Sequence, residues 1–174
     1  MQNGSEVEGC VFHKIPMAAT IYRRLRSIGG FVDLKNVMIL PGIFSVVVQL
    51  TQRLHGEAKQ VLLGALASEY LHPKVVVAVD EDVDIFNPAD ILWAISTRVD
   101  PAADITVVPG VRGHPMDPTA REVGITGQPG WQRLGSKVLI DATKPPLNAP
   151  EARRQFERIR PPNIDRIRLE DFVS

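Results

Sequence analysis

Four carboxylates crowd one short stretch of the chain: Asp80, Glu81, Asp82 and Asp84. Aspartates at i, i+2 and i+4 open a calcium-binding loop, but that loop also needs Gly at its sixth position and Glu at its twelfth. Those positions hold Ile85 and Ile91, so the calcium reading fails. Two readings remain open. The carboxylates can accept from backbone amides and favour the N-terminus of the helix that follows. Alternatively they can face a cofactor-bearing domain, because ligands of open α/β sheets sit at the carboxyl ends of strands and this loop follows the segment ending at Val79. The remaining chemistry-bearing residues are sparse. His13, His55 and His72 have no metal-ligand spacing, and no HxH, HExxH or CxxC occurs. No P-loop or dinucleotide fingerprint is present: Gly124-Ile-Thr-Gly-Gln-Pro-Gly neither follows a strong strand nor opens a helix.

The elements that would position these residues alternate. Residues 1–15 read as an irregular lead-in. Pro16 suits the first turn of a helix to about Ser27, with Met17, Ile21, Leu25 and Ile28 as its apolar stripe and Gly29-Gly30 as its stop. Strands are expected over Val32–Leu40 and Phe44–Leu50, joined by a Pro41-Gly42 turn. A helix over about Gly56–Leu71 presents Leu62, Leu66 and Tyr70, and Val75–Val79 reads as a strand buried on both faces. Beyond the acidic loop, Asn87 is an N-cap with Pro88 at the first helical position, and the helix runs to about Thr97. Ile105–Val108 and Val138–Ile140 are short strands flanking a Gly- and Pro-rich excursion over 109–136. Within it, Thr126–Gly135 with Trp131 is a candidate partner-facing hairpin. Trp93 and Trp131 are expected to pack rather than bind ligand. A charged helix over Pro150–Arg158 and a tail over 159–174 close the chain. Strands alternating with helices imply a single α/β domain over 1–174, layered, with a mixed β-sheet flanked by helices.

Composition sets bounds. The 174 residues suit one domain, and 44% apolar content supports a core. Twenty basic residues balance twenty acidic ones, so no nucleic-acid or anionic-membrane partner is indicated. Cys10 is alone and excludes an internal disulfide. The first residues lack a signal-peptide pattern, and no apolar run approaches the roughly 18 residues a bilayer span needs. A cytoplasmic location is expected.

Ordered motifs then narrow the class. Val79-Asp-Glu-Asp-Val-Asp, Trp93-Ala-Ile-Ser-Thr-Arg, Asp100-Pro and Ile140-Asp-Ala-Thr-Lys, together with Ile15-Pro-Met-Ala-Ala-Thr-Ile-Tyr, resemble the C-terminal portion of UbiD-like decarboxylases over roughly residues 11–157. The resemblance implies non-oxidative decarboxylation or carboxylation of an aromatic or α,β-unsaturated carboxylic acid. It implies prenylated FMN with a divalent metal (Mn or Mg) and potassium, held mainly by a flavin-binding large subunit. The family's metal ligands and catalytic Arg-Glu-Glu set have no counterpart here, and Glu6 and Glu8 are poor substitutes. The chain is therefore expected to be inactive alone. It would be a lid and oligomerisation part, as a fragment or as the small subunit of a hetero-oligomer; an initiator-like Met1 points to the subunit.

The same resemblance assigns residues. Arg98 would support the cofactor near the metal and flavin phosphate, a role its planar fork suits; the alternative is a structural ion pair with Asp100 or the acidic loop. His114 and Met116, in Gly113-His-Pro-Met-Asp-Pro, would contact substrate, the Met as a soft apolar wall and the His as a partner for a hydroxyl; the alternative is a surface turn. Asp141 is expected to fix a loop through backbone amides. Two further functions compete: a non-catalytic assembly domain that only holds subunits together, and, last, an independent nucleotide-binding domain.

Overall fold

A computed structural model describes residues 5–28, 32–125, 127, 129–159 and 168, with side chains from Phe12 onward. Helix α1 (Ser5–Ser27) opens the chain. The expected stripe is its buried face: Met17, Ile21 and Leu25 are almost wholly inaccessible, and Ile28 packs beside them. The expected irregular lead-in is corrected here. The helix already runs from Ser5, carries Glu6 and Glu8 on its first turns, and passes through Pro16. Proline in a helix interior removes one i→i−4 bond; Pro16 is solvent-exposed, and the stripe that begins at Met17 anchors the helix just beyond it.

Six strands form one mixed sheet: β1 (Asp33–Ile39), β2 (Ser45–Thr51), β3 (Val75–Val79), β4 (Ile105–Arg112), β5 (Arg121–Gly124) and β6 (Trp131–Ala142). The order is β1-β2-β3-β6-β4, with β5 also on β6. β2, β3 and β6 run parallel, with Val47, Val77 and Ile140 in register; β1, β4 and β5 pair antiparallel. The Val-rich segments are central because both their faces are covered. Val46, Val48, Leu50, Val76, Ala78 and Leu139 meet α1 and α2 (Glu57–Leu66). Val47, Val77, Val79 and Ala142 meet Ile91 and Ala94 of α3 (Pro88–Arg98). The architecture is thus the expected mixed sheet flanked by helices.

Asn87 caps α3 as expected, its side chain accepting from Ala89 N at 3.1 Å. The same device recurs unforeseen at Asp100-Pro101, where Asp100 caps the short α4 (Pro101–Asp104) and accepts from Ala102 N at 3.0 Å. The Gly- and Pro-rich excursion is largely sheet. β4 continues to Arg112, and β5 with the first half of β6 forms the hairpin around Ile125 and Gly130. Thr126 and Gln128 of that hairpin lie outside the described residues. Helix α5 (Pro150–Arg154) is shorter than expected. The tail expectation beyond Ile159 falls outside the described residues, apart from Arg168.

Candidate functional site

At the carboxyl ends of β2, β3 and β6 the acidic loop is held by cations. Asp80 is fully buried; it accepts from Arg153 at 2.6 Å, from Lys144 N at 3.3 Å, and from the Glu81 amide at 3.1 Å. Asp82 takes both terminal nitrogens of Arg98, at 3.0 and 2.6 Å, with Lys144 Nζ at 3.3 Å. Burial pushes the Asp82 carboxyl up, but Arg98 and Lys144 outweigh it and hold it below its ordinary value. Asp84 turns the chain by accepting from Phe86 N at 2.9 Å, and its own amide donates to Asp90 at 2.7 Å. Asp90 is also paired with Arg158. The expected acceptance of backbone amides is therefore present in this loop, and charge pairing accompanies it.

Arg98 is the most enclosed of the cations here. Its side chain is only 1% exposed. Besides Asp82 it contacts the Phe156 carbonyl at 3.4 Å, and its guanidinium lies 4.8 Å from the centroid of the Trp93 ring. Arg158 covers the same ring at 3.9 Å, so Trp93 is a packing residue clasped by two cations. A cavity of about 340 Å³ opens beside Arg98, bordered by Gln52, Lys59, Asp141 and Thr143. Asp141 fixes its own loop as expected, accepting from Thr143 N at 3.0 Å and Thr143 Oγ1 at 2.6 Å; burial raises its carboxyl above the usual range despite those bonds.

These groups do not form a holder for a flavin phosphate or a divalent metal. The terminal nitrogens of Arg98 are engaged, and Asp80, Asp82 and Asp90 are each neutralised by at least one cation. Among the described residues no group of three or more His, Cys, Asp or Glu is placed to hold a metal ion.

His114 lies at the other end of the sheet. β4 starts opposite Ile140 and ends opposite Leu134, so the loop after Arg112 emerges beside the amino ends of the parallel strands. The His114 ring stacks on His72 with centroids 3.9 Å apart and an interplanar angle of 29°. Phe44 stands edge-on at 6.2 Å. Met116 N donates to His114 Nδ1 at 3.2 Å, and the Met116 side chain is exposed. Asp117 closes the loop by accepting from Lys74 at 2.9 Å and from Thr119 N at 3.0 Å. The fold brings His114 and Met116 together and puts Arg98 at the opposite end. Sequence reading missed His72, Lys137, Arg153 and Arg158. The contacts of the two arginines span 73 and 68 residues, and no local pattern announces a partner that distant.

The geometry defines a layered α/β domain with a cation-clamped acidic loop at one end and a histidine-bearing loop at the other. The chain belongs to the family described as the 3-octaprenyl-4-hydroxybenzoate carboxy-lyase C-terminal domain, matched over residues 10–142. It is 36% identical over 150 residues to the anhydromevalonate phosphate decarboxylase of Methanothermobacter thermautotrophicus, covering 83% of this chain and 31% of that one. It is 33% identical to the phenolic acid decarboxylase of Sedimentibacter hydroxybenzoicus, over 82% of this chain and 28% of the relative. Among solved structures, the UbiD-class enzyme HmfF from Pelotomaculum thermopropionicum in complex with FMN matches with a TM-score of 0.75 and 30% identity, over 95% of this chain and 34% of that one. The chain thus spans about a third of the length of these relatives.

Proposed function

We propose that this chain is the C-terminal lid and oligomerisation part, or the small subunit, of a UbiD-class non-oxidative decarboxylase or carboxylase acting on an aromatic or α,β-unsaturated carboxylic acid. The observation that carries the reading is the family match over most of the chain, combined with coverage of only a third of each relative. The flavin (prenylated FMN with a divalent metal, Mn or Mg, and potassium) and the catalytic Arg and Glu residues are assigned to a flavin-bearing partner chain in a hetero-oligomer in the cytoplasm. Among the described residues no helix is long and apolar enough to cross a membrane. His114 and Met116 contact the substrate from a loop that excludes water when the complex closes. Arg98 supports the cofactor side indirectly, by locking Asp82 and the acidic loop in one conformation.

The distance in the fold between Arg98 and His114 favours a second reading, a non-catalytic assembly domain that holds subunits together without touching substrate. The two readings separate in one experiment. The chain is mixed with the flavin-bearing partner, and CO2 release from a panel of hydroxybenzoates and unsaturated acids is followed with wild type and His114→Ala. Activity only in the mixture, falling at least tenfold in His114→Ala at unchanged assembly, is the expected result. Unchanged turnover establishes the assembly reading; no association and no activity overturns both.

A further inference from the structure

We infer that His72 is a positioning residue for His114: it holds that ring in one orientation, with Nδ1 accepting and Nε2–H presented as the hydrogen-bond donor. The inference rests on the reading of His114 as a substrate contact and specifies the chemistry of that contact. Its first support is geometric. An imidazole stack at 3.9 Å, with the planes 29° apart, restricts rotation about χ2 of His114, and Phe44 at 6.2 Å from His114 and 6.5 Å from His72, with Tyr70 at 6.0 Å from His72, walls the pair on further sides. The second support is the hydrogen bond from Met116 N to His114 Nδ1. An amide N–H can donate only to an unprotonated ring nitrogen, so the proton of a neutral imidazole resides on Nε2.

The third support is electrostatic. Two imidazolium ions stacked at this distance repel, and His72 is the ring that gives way: burial first, then the neighbouring His114, push it down to about 4, so His114 stacks on a neutral face. Among the described charged groups facing the stack, Asp117 favours a charged His114, while Lys137 and His13 disfavour charge on the pair. Lys137, from β6, is buried and donates to the Leu71 carbonyl at 3.1 Å. Asp117 is already paired with Lys74, and His13 approaches from α1 as a third imidazole that lowers His72 further. Burial lowers both rings, with Lys137 adding to the effect; for His114, Asp117 opposes it in part. His72 Nδ1 is buried with no hydrogen-bond partner among the described residues, which suits a ring retained for its face rather than its nitrogens. A fixed donor selects substrates that present an oxygen acceptor at that point, such as a phenolic, ring or carboxyl oxygen.

The test reads His114 directly. Long-range proton–nitrogen spectra of the 174-residue chain, recorded across pH 4 to 8, report tautomer and protonation midpoint of each histidine. Wild type is expected to show His114 as the Nε2–H tautomer with a midpoint below the ordinary 6.5. His72→Ala should move that midpoint upward toward 6.5 and blend the tautomer signals; His72→Phe, which keeps an aromatic face, should retain a single tautomer. Spectra for His114 unchanged in His72→Ala overturn the inference. Turnover in the reconstituted complex separates this failure from that of the underlying reading. If the spectra change as expected but neither His72→Ala nor His114→Ala alters turnover, the positioning stands and the substrate-contact reading falls. If His114→Ala abolishes turnover while His72→Ala leaves the spectra intact, the reverse holds.

Discussion

Arg98 and Asp82 show how a charge pair can be structural at a position where chemistry was expected. The guanidinium is nearly inaccessible, whereas the Asp82 side chain is 26% exposed. Removing the carboxylate charge leaves a buried cation with only the Trp93 ring and neutral oxygen acceptors for compensation, so Asp82→Asn should destabilise the chain by about 2–4 kcal/mol. The pH dependence carries the same signature. Because the native Asp82 carboxyl is held below its ordinary value, its contribution is fully present above the unfolded carboxylate pKa of about 4 and is lost as pH falls through the lower native value. Urea unfolding of wild type should therefore weaken between pH 5 and pH 3, and the slope should be shallower in Asp82→Asn. Equal slopes in the two proteins would show that Lys144 and Arg98 do not act through this carboxylate.

At the scale of elements, the α1–α2 contact depends on one missing side chain. A Cβ at Gly64 would collide with Ile28 and press on Leu25 Cδ2 at 3.0 Å, so the two helices meet where α2 has no side chain. Ile28 can yield to a methyl group, but not to a branched side chain in a packed layer. Gly64→Val should cost about 2–3 kcal/mol through overpacking, seen as a lowered thermal midpoint, and Gly64→Ala clearly less. Indistinguishable midpoints for wild type and Gly64→Val would mean the helices are not in close contact. The α1 stripe that meets this glycine was legible in the sequence because 3.6-residue periodicity depends only on local order. The Val-rich strands and the Asn87 cap were legible for the same reason. β6 was read as three residues although it spans Trp131–Ala142, because its first half pairs at the sheet margin with few buried side chains and shows no apolar run. The His72–His114 stack was illegible: it joins a residue before β3 to one after β4, and only the sheet register puts them side by side. Arg98 was recognisable as important, but its partner could not be chosen between Asp100 and the acidic loop until Asp82 was seen 16 residues away.

For the whole molecule, assembly bears on the β5–β6 hairpin. Trp131 is 73% exposed and stands near Ile125, beside a cavity of about 510 Å³ that Pro115 and Leu71 also line. An accessible indole next to a partly apolar hollow is the composition of an interface anchor, since buried aromatics contribute a large share of binding free energy at protein contacts. The hollow reaches Gly113 and Pro115, the loop that carries His114, so a partner seated there would cover the proposed substrate-facing loop as well. If the flavin-bearing chain docks on this face, Trp131→Glu should weaken the complex at least tenfold, or about 1.4 kcal/mol, while leaving the isolated chain's unfolding midpoint unchanged. The wild-type emission maximum should also shift to the blue on mixing, because Trp93 is already clasped between Arg98 and Arg158 and Trp131 is the tryptophan left to change environment. Phe86 and Leu92, exposed on the α3 side, provide the control: Leu92→Glu should leave this contact intact. Complex formation that survives Trp131→Glu but not Leu92→Glu would move the interface to α3 and place the partner on the Arg98 side of the sheet.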